Sequence, residues 1–307
     1  MNHKINSVAV VGAGAVGSYY GARLAQAGMH VTFLLRSDYE HVATHGMKIT
    51  SVAGDFDLAD VSCEKSAKAI GPVDLVIIAW KTTANHHYQE IISPLLKEQT
   101  LVLTLQNGLG STDELAHLFG ARRVYGGLCF VCINRLSPGR IDHSASGLVR
   151  VGKHLPNRHD LDMLVKVLRA GGIHCEAVEN LELAQWMKLV WNIPFNGLAI
   201  AEGGVDTQVL LGTNGMEQRI RKIMHEVQAV AAALGYVIED AFIDHQIEVT
   251  RPMLAYRPSS MIDFTEGRAV EVDSIWREPL RRAHQLGVAV PEIEKLLSEI
   301  EAQIELR

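Results

Sequence analysis

The stretch Ser7 to Gly28, SVAVVGAGAVGSYYGARLAQAG, constrains the fold more than any other part of the chain. Val8-Ala9-Val10-Val11 leads straight into Gly12, Gly14 and Gly17, and then into a run of small residues that ends at Gly28. A strand, a glycine turn and a helix succeed one another in the order that a dinucleotide-binding unit requires. The glycines have separate tasks. Gly12 permits the turn, Gly14 leaves the backbone open to a pyrophosphate, and Gly17, with Ala22 and Ala25, lets the helix lie close on the strand. Orphan N–H groups at the start of the helix then face the phosphates, where the helix dipole adds attraction. The segment Gly12-Ala13-Gly14-Ala15-Val16-Gly17 is therefore the candidate cofactor loop. A bare glycine pattern of this kind also builds plain tight turns. Here a strand precedes it, a helix comes after it, and a second strand is expected at Val31 to Leu35, which favours the dinucleotide site.

A chain of 307 residues has room for about two domains and a substantial core. Its net charge of −6, without a long basic block, argues against a nucleic-acid partner. No uninterrupted apolar stretch reaches the roughly 18 residues of a membrane span, so none is expected. Lys4 before an apolar run faintly resembles a signal peptide, but the glycines interrupt that run and favour a mature strand. Cys129 and Cys132 form a C-x-x-C, which invites a metal or redox reading. They fall in an apparent strand, where residues three apart face opposite ways, and no second pair completes a zinc set. Plain core cysteines in a reducing, cytoplasmic setting are the expectation, with no metal.

The expected second strand ends at Arg36, the position that separates NAD from NADP. A carboxylate here would repel a ribose 2′-phosphate, whereas an arginine pairs with it. NADP is the reading favoured, against a solvated surface arginine. Asp38 stands as a candidate helix N-cap. A hairpin is expected over Met47 to Leu58, turning at Gly54-Asp55. Asp74-Leu-Val-Ile-Ile-Ala79 is a continuous apolar run of the kind found in parallel strands covered on both faces. Lys81 comes just after it, and Asn107 comes just after the similar run Thr100 to Leu105. Ligands bind at the carboxyl ends of such strands, so Lys81 and Asn107 are candidate contacts, against a surface lysine and a turn asparagine. His143 is read as structural.

From Asn180 onward the periodicity is helical, which divides the chain into 1–179, a Rossmann-like unit, and 180–307, an all-α unit. Asn214 and Glu217 resemble a capping box. The expected helix from Glu182 to Asn196 is apolar on most sides, yet Lys188, Asn192 and Asn196 recur at four-residue spacing on one face. Burying such groups is costly without partners, so the stripe suggests a ligand cleft, against a structural polar network. Pro194 interrupts the helical hydrogen bonding there.

These residues resemble the ketopantoate reductase family, the 2-dehydropantoate 2-reductases. The resemblance rests on Gly12-Ala-Gly-Ala-Val-Gly17, Arg36, Lys81, Gln106-Asn-Gly108, Lys188-x-x-x-Asn192-x-x-x-Asn196, Ser259-Ser-Met261, Glu271-Val-Asp273 and Gly287-x-x-x-Pro291. It spans nearly the whole chain, in order. It implies a Rossmann domain followed by an α-helical domain, with NADPH-dependent reduction of a 2-keto acid between them, 2-dehydropantoate to pantoate in pantothenate biosynthesis. It further implies Lys188 as general acid, and Asn192, Asn196 and Ser260 as substrate contacts. Asn107 would meet cofactor and substrate, Arg36 and Lys81 would hold NADP, and Glu271 would stand at the nicotinamide and substrate end. An ammonium can stabilise the charge that grows on a ketone oxygen and then donate its proton, and Glu271 would help keep it protonated. The interval from Ser260 to Glu271 is about one residue shorter than the family's, Leu109 replaces a common methionine, and Trp80, Trp191 and Phe195 are bulky. The alternatives are a related NADP-dependent hydroxy or imino acid dehydrogenase and a non-catalytic NADP-binding sensor. A homodimer is left open.

Overall fold

The computed structural model describes residues 4–155 and 159–307. The chain forms two compact units, one made of the residues up to Gln106 with Ser111–Leu181, the other of Asn107–Gly110 with Glu182–Arg307.

The first unit contains β1 (Ser7–Val11), α1 (Ala15–Gln26), β2 (His30–Leu34), α2 (Tyr39–His45), β3 (Met47–Ser51), β4 (Phe56–Leu58), β5 (Cys63–Glu64) and α3 (Ala67–Ile70). β6 (Leu75–Ile78), α4 (Tyr88–Ile92), β7 (Leu101–Thr104), α5 (Ser111–Phe119), β8 (Val124–Ser137), β9 (Arg140–Lys153), α6 (His159–Ala170) and β10 (Cys175–Ala177) complete it. The sheet order is β4-β3-β9-β8-β7-β6-β1-β2-β5, with β10 beside β9. The strands from β5 through β8 are parallel. Strand order reverses between β1 and β6, the switch point outside which ligands bind in open sheets.

The continuous apolar runs are explained by burial on both faces. Val8, Val10, Leu75 and Ile77 share one core with Leu24 of α1, while Ala9, Val11, Val76 and Ile78 share another with Tyr88 and Ile92 of α4. Gly21 sets how closely α1 lies on the sheet. A Cβ there would come within 2.6 Å of Phe33 and 2.8 Å of Val10. Gly17, by contrast, faces the turn, where a Cβ would meet the Gly12 carbonyl at 2.3 Å. Asp74 ties the amino ends of β1 and β6 together. It accepts from the N–H groups of Asn6 and Ser7, each at 2.9 Å, and from Lys97 at 2.6 Å.

The hairpin of β3 and β4 forms where expected, Met47 facing Leu58. β8 and β9 form a long antiparallel pair with irregular register, turning at Pro138-Gly139. His143 is structural. Its Nε2 faces the carbonyls of Ala145 and Ser146 and so carries the proton, and Nδ1 lies 2.8 Å from the Ser51 hydroxyl. The cysteines depart in part from the core expectation. None of the four forms a disulfide; Cys175 is buried, while Cys129, packed against the core, and Cys132 are only half-buried. Burial pushes the Cys175 thiol up to about 12, which keeps it protonated.

The second unit contains α7 (Leu181–Ala201), α8 (Thr207–Gly212), α9 (Met216–Ala233), α10 (Asp240–Thr250), α11 (Ser259–Thr265), a π-helical turn over Asp273–Arg277, α12 (Glu278–Gln285) and α13 (Pro291–Glu305). Its core gathers Trp186, Leu189, Ile193 and Phe195 of α7 with Ile220, Met224, Trp276 and Leu296. Gly197 admits this packing, since a Cβ would stand 2.9 Å from the Trp276 indole nitrogen. That nitrogen donates to the Ile193 carbonyl at 3.1 Å, beside Pro194 within α7. The Asn214 capping box does not form. Gly215 occupies the N-cap of α9 without a side-chain bond, and Glu217 turns instead to Arg221 and Arg251. Glu226 caps α13, accepting from the N–H groups of Glu292 and Ile293. Among the described residues no helix is long and apolar enough to cross a membrane, and no group of three His, Cys, Asp or Glu is placed to hold a metal.

Candidate active site

In the first unit, strand register lines up the candidate groups. Leu34 and Ile78 pair with Val11, and Thr104 pairs with Ile78, so the four parallel strands end in one row. Gly12 comes directly after Val11, Arg36 two positions after Leu34, Lys81 three after Ile78, and Gln106 two after Thr104. Neighbouring strands lie about 4.8 Å apart, so the row from β2 to β7 spans about 14 Å, a length suited to an extended dinucleotide.

The loop at the centre of the row requires glycine at its first position. Gly12 has φ +91°, and a Cβ would fall 2.2 Å from the backbone nitrogen of Trp80. Gly14 is different: a Cβ there would meet nothing within 4 Å. The space over Gly14 is open, and the N–H groups of Ala15, Val16 and Gly17 begin α1 without earlier carbonyls to bond. Ala13 is fixed by its carbonyl, which accepts from Ser18 Oγ at 3.0 Å. Backbone donors, open space and the dipole of a 12-residue helix fit a pyrophosphate.

Arg36 is exposed, and Lys81 is half-buried at the start of the 3₁₀ turn Thr82–His87. Asp38 precedes α2 but does not cap it. Its carboxylate is occupied by Arg135, which donates from Nη1 at 2.8 and 2.6 Å. Gln106 is locked. Its Oε1 accepts from Tyr88 Oη at 2.5 Å and Thr104 Oγ1 at 2.8 Å, and its Nε2 donates to Asn85 Oδ1 at 2.8 Å.

The second unit brings two pairs of candidates together. Lys188 Nζ donates to Asn107 Oδ1 at 2.8 Å. The Ser260 N–H donates to Asn196 Oδ1 at 2.9 Å, so the first turn of α11 is tied to α7. Asn192, between Lys188 and Asn196 on α7, is 8 % exposed. Glu271 is buried, and its carbonyl accepts from the N–H of Ile275 at 3.3 Å and from Ser274 Oγ at 3.5 Å. Ser274 holds the Asn107 segment in turn. Its carbonyl accepts the Leu109 N–H at 2.9 Å, and a Cβ at Gly108, where φ is +82°, would lie 2.3 Å from the same oxygen. Gly108 is thus a residue of close approach. The sequence marked it through Gln106-Asn-Gly108 without revealing its partner.

A switch-point glycine loop, charged groups in a row at strand ends and a lysine–asparagine pair on an all-α unit together define a dinucleotide-dependent oxidoreductase built on a Rossmann-type fold. Residues 8–156 match the family model described as ketopantoate reductase PanE/ApbA, and residues 180–304 match that of its C-terminal part. A 2-dehydropantoate 2-reductase of a Nostoc species is 37 % identical over 298 residues, covering 95 % of this chain and 93 % of its own. Among solved structures, 2-dehydropantoate 2-reductase from Geobacter metallireducens aligns with a TM-score of 0.94 and 43 % identity, covering 96 % of this chain and 99 % of its own. The enzyme of that name from Methylococcus capsulatus aligns at 0.89 and 31 %, covering 98 % and 97 %. The chain belongs to the ketopantoate reductase family.

Proposed function

We propose that this protein reduces a 2-keto acid with NADPH, the substrate being 2-dehydropantoate, after which its relatives are named. In this reading residues 1–179 hold the cofactor and residues 180–307 carry the substrate and the chemistry. The observation that carries it is the 2.8 Å bond from Lys188 to Asn107. An amide oxygen that takes one ammonium hydrogen fixes the lysine head while leaving it a proton donor.

The loop from Gly12 to Gly17, including Ala13, Gly14, Ala15 and Val16, would hold the pyrophosphate through backbone N–H groups. Arg36 and Lys81 would neutralise the ribose phosphate end. When bound, the reduced nicotinamide supplies hydride to the keto carbon. Lys188 would stabilise the charge developing on the keto oxygen and donate the proton from Nζ, which is general acid catalysis. Glu271 would favour the protonated lysine, and Asn107 would orient it while also meeting the cofactor. Asn192, Asn196 and Ser260 would hold the substrate's carboxylate and hydroxyl by neutral hydrogen bonds. Four cysteines without a disulfide are compatible with a reducing cytoplasm.

Loss of NADPH absorbance on adding 2-dehydropantoate is the expected result. Tight NADPH binding without oxidation by that substrate, or by any of a panel of small 2-keto acids, would overturn the reading.

A further inference from the structure

The segment after β2 reads Arg36-Ser37-Asp38. Arg36 is exposed, and its guanidinium has no hydrogen bond or ion pair among the described residues. Asp38 is the opposite, only 7 % exposed. A carboxylate near the end of the second Rossmann strand is the group that binds a ribose 2′-hydroxyl in NAD enzymes and repels a 2′-phosphate. In this chain the carboxylate is closed off. Arg135 donates to both of its oxygens, and Ser37 Oγ donates to Oδ1 at 2.9 Å. Arg135 comes from β8, 97 positions further along, and keeps 42 % of its side chain exposed. The Tyr39 N–H returns to the Arg36 carbonyl at 3.3 Å, so residues 36–39 form a tight turn that keeps Arg36 and Asp38 neighbours.

We propose that Arg135 is a residue that sets cofactor choice. By neutralising Asp38 it converts a corner suited to a ribose hydroxyl into one that accepts a ribose phosphate. This rests on the NADPH reading above. Without Arg135 the Asp38 charge stands unpaired within a Debye length, about 10 Å, of any phosphate that Arg36 holds. A dianion feels that charge far more than a hydroxyl does.

The test measures Kd for NADPH, NADH and 2′,5′-ADP by fluorescence titration and calorimetry. The proteins are the unaltered chain, Arg135→Gln, Asp38→Asn and the double variant. Glutamine keeps a donor to Asp38 but removes the charge, and NADH binding reports that each variant is folded. Arg135→Gln is expected to weaken NADPH and 2′,5′-ADP about tenfold, the order expected for one charge at this range near a surface, with NADH within about twofold. Adding Asp38→Asn should recover most of the loss. An unchanged NADPH to NADH ratio in Arg135→Gln, an equal loss of both, or no recovery in the double variant would each overturn the inference. An unaltered protein that binds NADH as tightly as NADPH would instead sink the NADPH reading itself.

Discussion

In the first unit the candidate groups are placed by backbone, and in the second by side chains. Leu34, Val11, Ile78 and Thr104 end in register, so Arg36, Gly12, Lys81 and Gln106, each one to three positions beyond its strand, are carried to the same edge. The groups that would act there are N–H dipoles and the cations of exposed Arg36 and half-buried Lys81. On α7 the placement is done by hydrogen bonds between carboxamides, an ammonium and an N–H, from Lys188 to Asn107 and from Ser260 to Asn196. Backbone placement makes the fold of the first region sensitive to a single added methyl where backbones meet, as at Gly12. Side-chain placement does the reverse, so a helix can lose its chemistry and keep its fold.

Four tests can break or sharpen this contrast, the largest effect first. Lys188→Ala should lower kcat about 10³-fold, as expected for loss of a general acid, with NADPH Kd within about twofold. An equal fall in both would reassign Lys188 to cofactor binding. Gly12→Ala should cost about 3 kcal/mol or more in urea unfolding, because the alanine must adopt φ +91° and meet the Trp80 backbone at 2.2 Å. Gly14→Ala, facing open space, should stay within about 1 kcal/mol while weakening NADPH, and comparable destabilisation at the two positions would erase the distinction between them. Third, Arg36→Asp should weaken NADPH about 100-fold and NADH little, by adding a like charge beside the 2′-phosphate. If titrations with the two cofactors respond alike, Arg36 is not the phosphate contact.

The smallest effect is on stability alone. Burial pushes the Asp74 carboxyl up, but the Lys97 ammonium and the N–H groups of Asn6 and Ser7 outweigh it and hold the group well below the usual carboxylate range. A depressed folded value means that Asp74 stabilises the protein fully above the unfolded value of about 3.9, and that this contribution drains away as pH falls through the folded value. Asp74→Asn should therefore cost about 2 kcal/mol at neutral pH, with the gap to the parent closing in acid. Urea midpoints measured across that range that stay parallel would remove Asp74 from the account.

Legibility in the sequence divides along the same line. The parallel strands were legible because burial on both faces leaves a continuous apolar run, as at Leu75 to Ile78, and the stripe on α7 because polar groups stand out on an otherwise apolar helix. Features that depend on distant partners were not legible. Asp38 looked like a cap until Arg135 arrived from 97 residues away. Asn214 and Glu217 had the spacing of a capping box, but Arg221 and Arg251 compete for the same carboxylate more strongly than a helix N–H does. Gly21 carried no motif, since its need arises only from Phe33 and Val10 on two strands. α8 and α11, 6 and 7 residues long, are too short to display a period.

Residues 107–110 belong with the second unit although the chain on either side of them belongs to the first. The polypeptide therefore passes from one unit to the other at three peptide bonds, after positions 106, 110 and 181. No single scissile point separates a Rossmann piece from a helical piece. A fragment ending at 181 would carry Asn107 to Gly110 stripped of the Ser274 carbonyl that receives Leu109, and one beginning at 182 would leave Lys188 without its asparagine. Modular exchange with another oxidoreductase would have to graft that tetrapeptide along with the helices, as one discontinuous cassette.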